Sequence, residues 1–207
     1  MRRTRVFREA SAAMSSLRIV VGLALVWAAG GCGVTVEPPH DPPDAVAVYF
    51  ADFGVHSSVL LPVGERRYVE YVWGDWGYAV ENRRMVHNAV GALFLSSQSA
   101  FGRRYLESHE DGGEPKIPEK NVKVVRFEAE RRRVAGIVDE LGLRFDAGEG
   151  PPVVNPRNNL AYVRDPRRYS IADNCNDLTV HILTALGCRI SGSTVSSNFR
   201  FVGPRPR

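Results

Sequence analysis

Two strand-like runs joined by a tight turn constrain this chain more than any other feature. "VHSSVLLPV" (55–63) and "RRYVEYVWGDW" (66–76) are rich in β-branched and aromatic residues. The Pro and Gly of "PVGER" stand between them at hairpin distance, so the pair is expected to be antiparallel. "AVAVYFA" (45–51) is a continuous apolar run, the pattern of a buried strand, and "VKVVRFE" (122–128) is a further strand.

Helical periodicity occurs in three places. Val86, Val90, Leu93 and Phe94 share one helical face, and Val134, Ile137, Val138 and Leu141 share another. The third stripe is Leu178, Ile182, Ala185 and Leu186, which Gly187 ends. "LESHEDGGEPKIPEKN" (106–121) reads as an exposed polar loop. Residues 146–168 read as a long irregular connection, the expected lid or rim of a site, and "STVSSNFRFV" (193–202) as a last strand. The class is α+β, with a mainly antiparallel sheet and flanking helices.

The N-terminus follows a different logic. Residues 1–31 begin with a cationic stretch and continue into "IVVGLALVWAAGG", 13 residues that are too few to span a bilayer. This is the pattern of a secretory signal peptide. The small residues before Cys32 resemble a bacterial lipobox, which implies cleavage before Cys32 and lipid on its thiol. "GVTVEPPHDPPD" then reads as a proline-rich tether, making residues 32–44 a lipidated linker and residues 45–207 the folded domain. The expected location is the bacterial cell envelope, on a membrane surface. The pI of about 9.1 invites a nucleic-acid reading, but the charge is misplaced for it. Residues 1–31 hold five arginines and one glutamate, which accounts for the whole chain's net +4. The remainder is neutral, so no general attraction to phosphate backbones is expected.

"ADNCNDLTVHIL" (172–183) carries the chemistry. Asp173 or Asn174 caps a helix whose first turn holds Cys175. A disulfide to Cys188 is excluded, because 13 helical residues span about 20 Å where the bond allows about 7 Å. Cys175, His181 and Cys188 lack zinc-type spacing, so no metal is expected. Two readings stay open: a small core residue, or a nucleophile favoured by the free N–H groups and dipole of a helix start.

A nucleophile needs a base. His40 and His109 fall in polar segments, and His87 and His181 on helices; His56 lies within a strand. With the hairpin centred near Gly64, position 70 pairs with Ser58, which puts Glu70 on the face of His56. Glu70 would then orient the imidazole. A one-residue slip brings Tyr71 or Trp73 there instead, and Asp75 in "WGDW" is the other acidic candidate.

Three blocks, "FGVHSSVLLP", "YVEYVWGDWGYA" and "NCNDLTVHILTALGCRIS", resemble the bacterial family of exported proteins and lipoproteins known as domain of unknown function 2459. The order His, acid, Cys resembles the circularly permuted, papain-like NlpC/P60 group. His56, Ser57, Glu70, Trp73, Gly74, Asp75, Cys175, Asn176, Thr179 and Leu183 stand at the motif positions. Val55, Val72, Asn174 and Leu178 replace the family's aromatic, Gly, Thr and Trp, which leaves the substrate open. The resemblance implies a permuted papain-like domain and a thiol hydrolase or acyltransferase without a cofactor. In it Cys175 is the nucleophile, His56 the base and Glu70 the orienting acid, with Asp75 and Trp73 as further contacts. The implied partner is a lipid, a lipoprotein or a peptidoglycan-derived ester or amide. The alternative is a binding or scaffold lipoprotein without turnover.

Overall fold

The expected hairpin lies at the centre of a seven-stranded sheet. The computed structural model describes residues 33–54, 56–81, 98–110, 113–170, 173–194 and 197–203. In sheet order the strands are β6 (Lys123–Glu130), β2 (Ala45–Asp52), β3 (Ser57–Pro62), β4 (Arg67–Asp75), β5 (Ser99–Glu107), β8 (Leu160–Asp165) and β7 (Glu149–Asn155), and all neighbours are antiparallel. A smaller sheet sets β1 (Val34–Glu37) between β10 (Phe199–Phe201) and β9 (Arg189–Gly192). The described helices are α1 (Trp76–Ala79), α2 (Arg131–Asp146) and α3 (Cys175–Ala185). The molecule is thus α+β with a mainly antiparallel sheet, as expected. Among the described residues no helix is long and apolar enough to cross a membrane.

β2 reads as one apolar run because both of its faces are covered. Val48 and Phe50 join the main core with Val59, Leu61, Val69, Tyr71 and Trp73. The apolar stripes of α2 and α3 (Val134, Ile137, Leu141; Leu178, Ile182, Leu183) lie on that side, which we call the helix face. Val34, Val36 and the rings of Phe199 and Phe201 complete it, the two rings packing against Phe50. On the opposite face Tyr49, Ala51, Leu60, Tyr68 and Leu106 cluster with Ile117 and Val122 of the connection after β5. Trp76, Ala100, Leu160 and Tyr162 form a second opposite-face cluster.

Three expectations are corrected, and one strand is added. The segment read as a free tether begins as a strand: Val34 and Val36 are buried between β9 and β10, and alternation in "VTVE" outweighs the prolines that follow. The irregular 146–168 connection is mostly the β7–β8 hairpin, and "GPPVV" is compatible with a strand because β7 lies at the sheet edge. "SAFGRRYLE" is β5, an interior strand, although two adjacent arginines and a glycine mask its alternation. The expected strand at 193–202 shrinks to Phe199–Phe201, and Arg189–Gly192 is a separate strand. The helix expected at 86–95 falls outside the described residues, as do the signal segment and Cys32.

Candidate functional site

Cys175 is the first residue of α3, and the helix start is fixed by its neighbours. The Asn174 side chain accepts from the first-turn backbone while Asp177 reaches back to the Asn174 N–H at 2.8 Å, a reciprocal capping box. Asp173, the other expected cap, pairs instead with Arg167. Thr179, one turn on, donates to the Ser57 carbonyl at 3.0 Å and so ties the helix start to β3. Gly187 ends the helix at φ +92, with its N–H on the Thr184 carbonyl. Both Cys175 and Cys188 are free thiols.

The sulfur is half-buried. Burial raises its pKa above the ordinary thiol range, partly offset by the Tyr169 hydroxyl and by the N–H groups of Asn176 and Cys175 itself. Tyr169 Oη donates to Sγ at 3.7 Å. Burial and the neighbouring Cys175 lift the tyrosine's own pKa far up, so it remains a donor. Cys188 has no such neighbours, and burial alone pushes it up to about 12. A thiol with donors around it is a different chemical object from a packed one.

Trp73 brings the sheet into the site. Its ring meets Tyr169 edge-on at 5.4 Å between centroids, and the guanidinium groups of Arg144 and Arg167 lie 4.8 and 5.0 Å from the ring centre. Arg144 is held by Asp165 at 2.7 Å and Arg167 by Asp173 at 3.0 Å. Ser99 pins the segment leading to Tyr169 by donating to the Asp165 and Arg167 carbonyls. Asp75 caps α1 by accepting from the Tyr78 N–H at 2.8 Å, and its charge reaches Tyr169.

Three buried side-chain atoms have no hydrogen-bond partner among the described residues: Ser57 Oγ, Trp73 Nε1 and Arg144 Nη2. All belong to this face, for Trp73 lies in its core and Arg144 stacks on Trp73 and Phe101. The β3–β4 ladder covers only Leu60–Glu70, Leu61–Val69 and Pro62–Tyr68. It stops before Ser57 and Trp73, so backbone pairing between the two strands ends short of that side of the sheet.

His56 and Glu70 are not brought to Cys175. Asp52 pairs with Ser57, and the Phe53 N–H closes a tight turn on the His56 carbonyl at 2.9 Å, with Gly54 at φ +83. Phe53 and His56 therefore share the opposite face, their rings stacked 4.5 Å apart. Burial lowers the His56 pKa, although Glu70, Glu119 and Asp52 oppose this. Among the described residues no hydrogen bond joins His56 to Cys175.

Glu70, 1 % exposed, lies opposite Leu60 rather than Ser58. The register is shifted by two residues from a Gly64 centre, which keeps Glu70 on the expected face. Ser58 Oγ donates to it at 2.5 Å, and Arg104 Nε fills its other oxygen. Arg104 also grips Glu119 through both Nη atoms, at 2.6 and 3.1 Å, and the Asn158 carbonyl at 2.8 Å. Glu70 is thus committed to an ion network. Sequence reasoning missed Arg104, Arg144 and Tyr169. For Arg104 a signal existed, since a carboxylate inside a sheet demands a cation.

His181 is exposed and pairs with Glu140 at 2.7 Å. Among the described residues no three His, Cys, Asp or Glu side chains gather as a metal-ligand set. No protein-family model, curated protein or solved structure matches the chain.

Proposed function

We propose that this is an exported, lipid-anchored envelope protein in which Cys175 carries out thiol-dependent acyl chemistry, as a hydrolase or an acyltransferase. One observation carries the reading: a thiol at the first position of a capped helix, with N–H and O–H donors around its sulfur. In the proposed step the sulfur gives up its proton to a base and bonds to a substrate carbonyl carbon. The carbonyl oxygen takes the negative charge. Its collapse breaks the bond to the alcohol or amine, which leaves with the proton, and the acyl group stays as a thioester. Water or an amine then attacks the thioester and regenerates the thiol. The donors at the helix start favour the charged intermediate.

His56 is the proposed base, on the permuted papain-like arrangement that the sequence resembles. In the present structure it faces away, so on this reading the base reaches Cys175 only through a rearrangement local to its own turn, with Ser57 and the rest of β3 kept in register. The split between His56 and Cys175, with the raised thiol pKa, favours a second reading: a binding protein that uses the same site without turnover.

Alkylation with iodoacetamide across pH tests both. The resting thiol is expected to react more slowly than a free cysteine at neutral pH and to accelerate only above the ordinary thiol range. Incubation with envelope extracts is then expected to add an acyl mass to Cys175 that hydroxylamine removes. A thiol that never acquires such a mass, in the native chain or in His56→Ala, leaves the binding reading in place.

A further inference from the structure

Ser57 and Trp73 point to what the site takes. Ser57 is 4 % exposed and Trp73 3 %, and each buries a hydrogen-bond donor that nothing in the described chain accepts. An orphaned buried polar group is costly, so a fold tolerates several of them where something else completes the bonding. Arg144 Nη2, stacked on the same tryptophan, is the third. Trp Nε1 and Arg are donors only, so the missing group is an acceptor.

Charge decides which acceptor. Arg144 and Arg167 are each neutralised by an aspartate, Asp165 and Asp173. Two further carboxylates, Asp75 and Asp177, lie within electrostatic reach of Tyr169 and Cys175. The site is rich in donors, and the two arginines over the Trp73 ring are each already balanced by a carboxylate. A carboxylate or phosphate would be repelled, whereas an uncharged carbonyl oxygen meets the donors without that cost.

We propose that Ser57 Oγ and Trp73 Nε1, with Arg144 Nη2 behind them, form a subsite for the carbonyl oxygen of an uncharged amide or ester, beside the Cys175 sulfur. The subsite deepens the acyl-chemistry reading and rests on it for its place next to a reacting thiol. It narrows the substrate class to neutral acyl groups and excludes free acids.

The test is a titration of the ¹⁵N-labelled full chain in detergent with propionamide, and with sodium propionate at matched ionic strength. The Trp73 indole N–H is assigned by its absence in Trp73→Phe. Propionamide is expected to shift that resonance downfield and saturably. Propionate is expected to do so at least about tenfold more weakly, and Ser57→Ala to weaken propionamide by about tenfold. No saturable shift, or a shift that favours propionate, overturns the subsite. Incubation of the same protein with envelope extracts, read as acyl mass on Cys175, keeps the two ideas apart. A Cys175 that never acquires an acyl mass, beside a saturable propionamide shift, sinks the nucleophile and spares the subsite; a hydroxylamine-labile acyl mass with no shift does the reverse.

Discussion

The two faces of the sheet bury polar groups on opposite terms. On the opposite face Glu70, Arg104, Glu119 and Ser58 satisfy one another, packed between two apolar clusters. On the helix face Ser57, Trp73 and Arg144 present buried donors that nothing among the described residues receives. The first arrangement is complete without a ligand and is structural. The second is incomplete and marks where chemistry from outside belongs. An acid is therefore a poor site marker by type alone. Glu70 was the attractive triad candidate, and its surroundings explain it fully as half of a buried ion pair.

The contrast breaks most visibly at Arg104. Replacing it with Met strands two carboxylates, one of them at 1 % exposure, without a cation. A loss of about 3–5 kcal/mol is expected, seen as a lower midpoint in urea with an unchanged slope. A loss below about 1 kcal/mol would mean that the network is not closed as described.

Gly102 gives the next effect. A Cβ there would meet the Tyr162 ring at 2.6 Å and Val72 Cγ2 at 2.7 Å, directly beside the Glu70–Arg104 pair. Gly102→Ala should therefore cost about 1–3 kcal/mol by overpacking, measured by the same unfolding curve. On the helix face the sign changes. Ser57→Ala removes an orphan hydroxyl, so stability should stay within about 0.5 kcal/mol of the native chain or rise. A clear destabilisation would show that Ser57 Oγ already has a partner, and the asymmetry between the faces would fall with it.

Much of this was legible in the sequence, and the misses have physical causes. β2, β3, β4 and β6, and helices α2 and α3, follow from period and capping. The register expected from a Gly64 centre lies two residues from the observed one, a difference that strand alternation hides, because every side chain keeps its face. What alternation does not reveal is which face a later helix will cover. His56 and Glu70 share one face, near enough for the carboxylate to act on the imidazole's pKa, but the stripe of α3 packs on Val59 and Leu61, the other side. β5 and β7 were missed because "GRRY" and "GPPV" look like loops when the strands beside them are unknown. Tyr169 has no local pattern at all; the loop pinned by Ser99 brings it to the sulfur.

The smallest effect tests the face of His56 itself. Burial holds its folded pKa below that of the unfolded chain, despite Glu70, Glu119 and Asp52 nearby. The unfolded state then binds more protons than the folded one between the two pKa values. Stability is therefore fully present above the unfolded value of about 6.5 and falls as pH drops through the folded one. His56→Gln removes that contribution, so its urea midpoint should decline less than the native midpoint between about pH 7 and pH 5, with the carboxylates as a shared background. If His56 instead sat against a Cys175 thiolate, its pKa would be raised and the sign would reverse: stability would be lost as pH rose. The direction of one small slope thus reports which face the imidazole occupies, and with it whether the resting protein already holds a base beside its thiol.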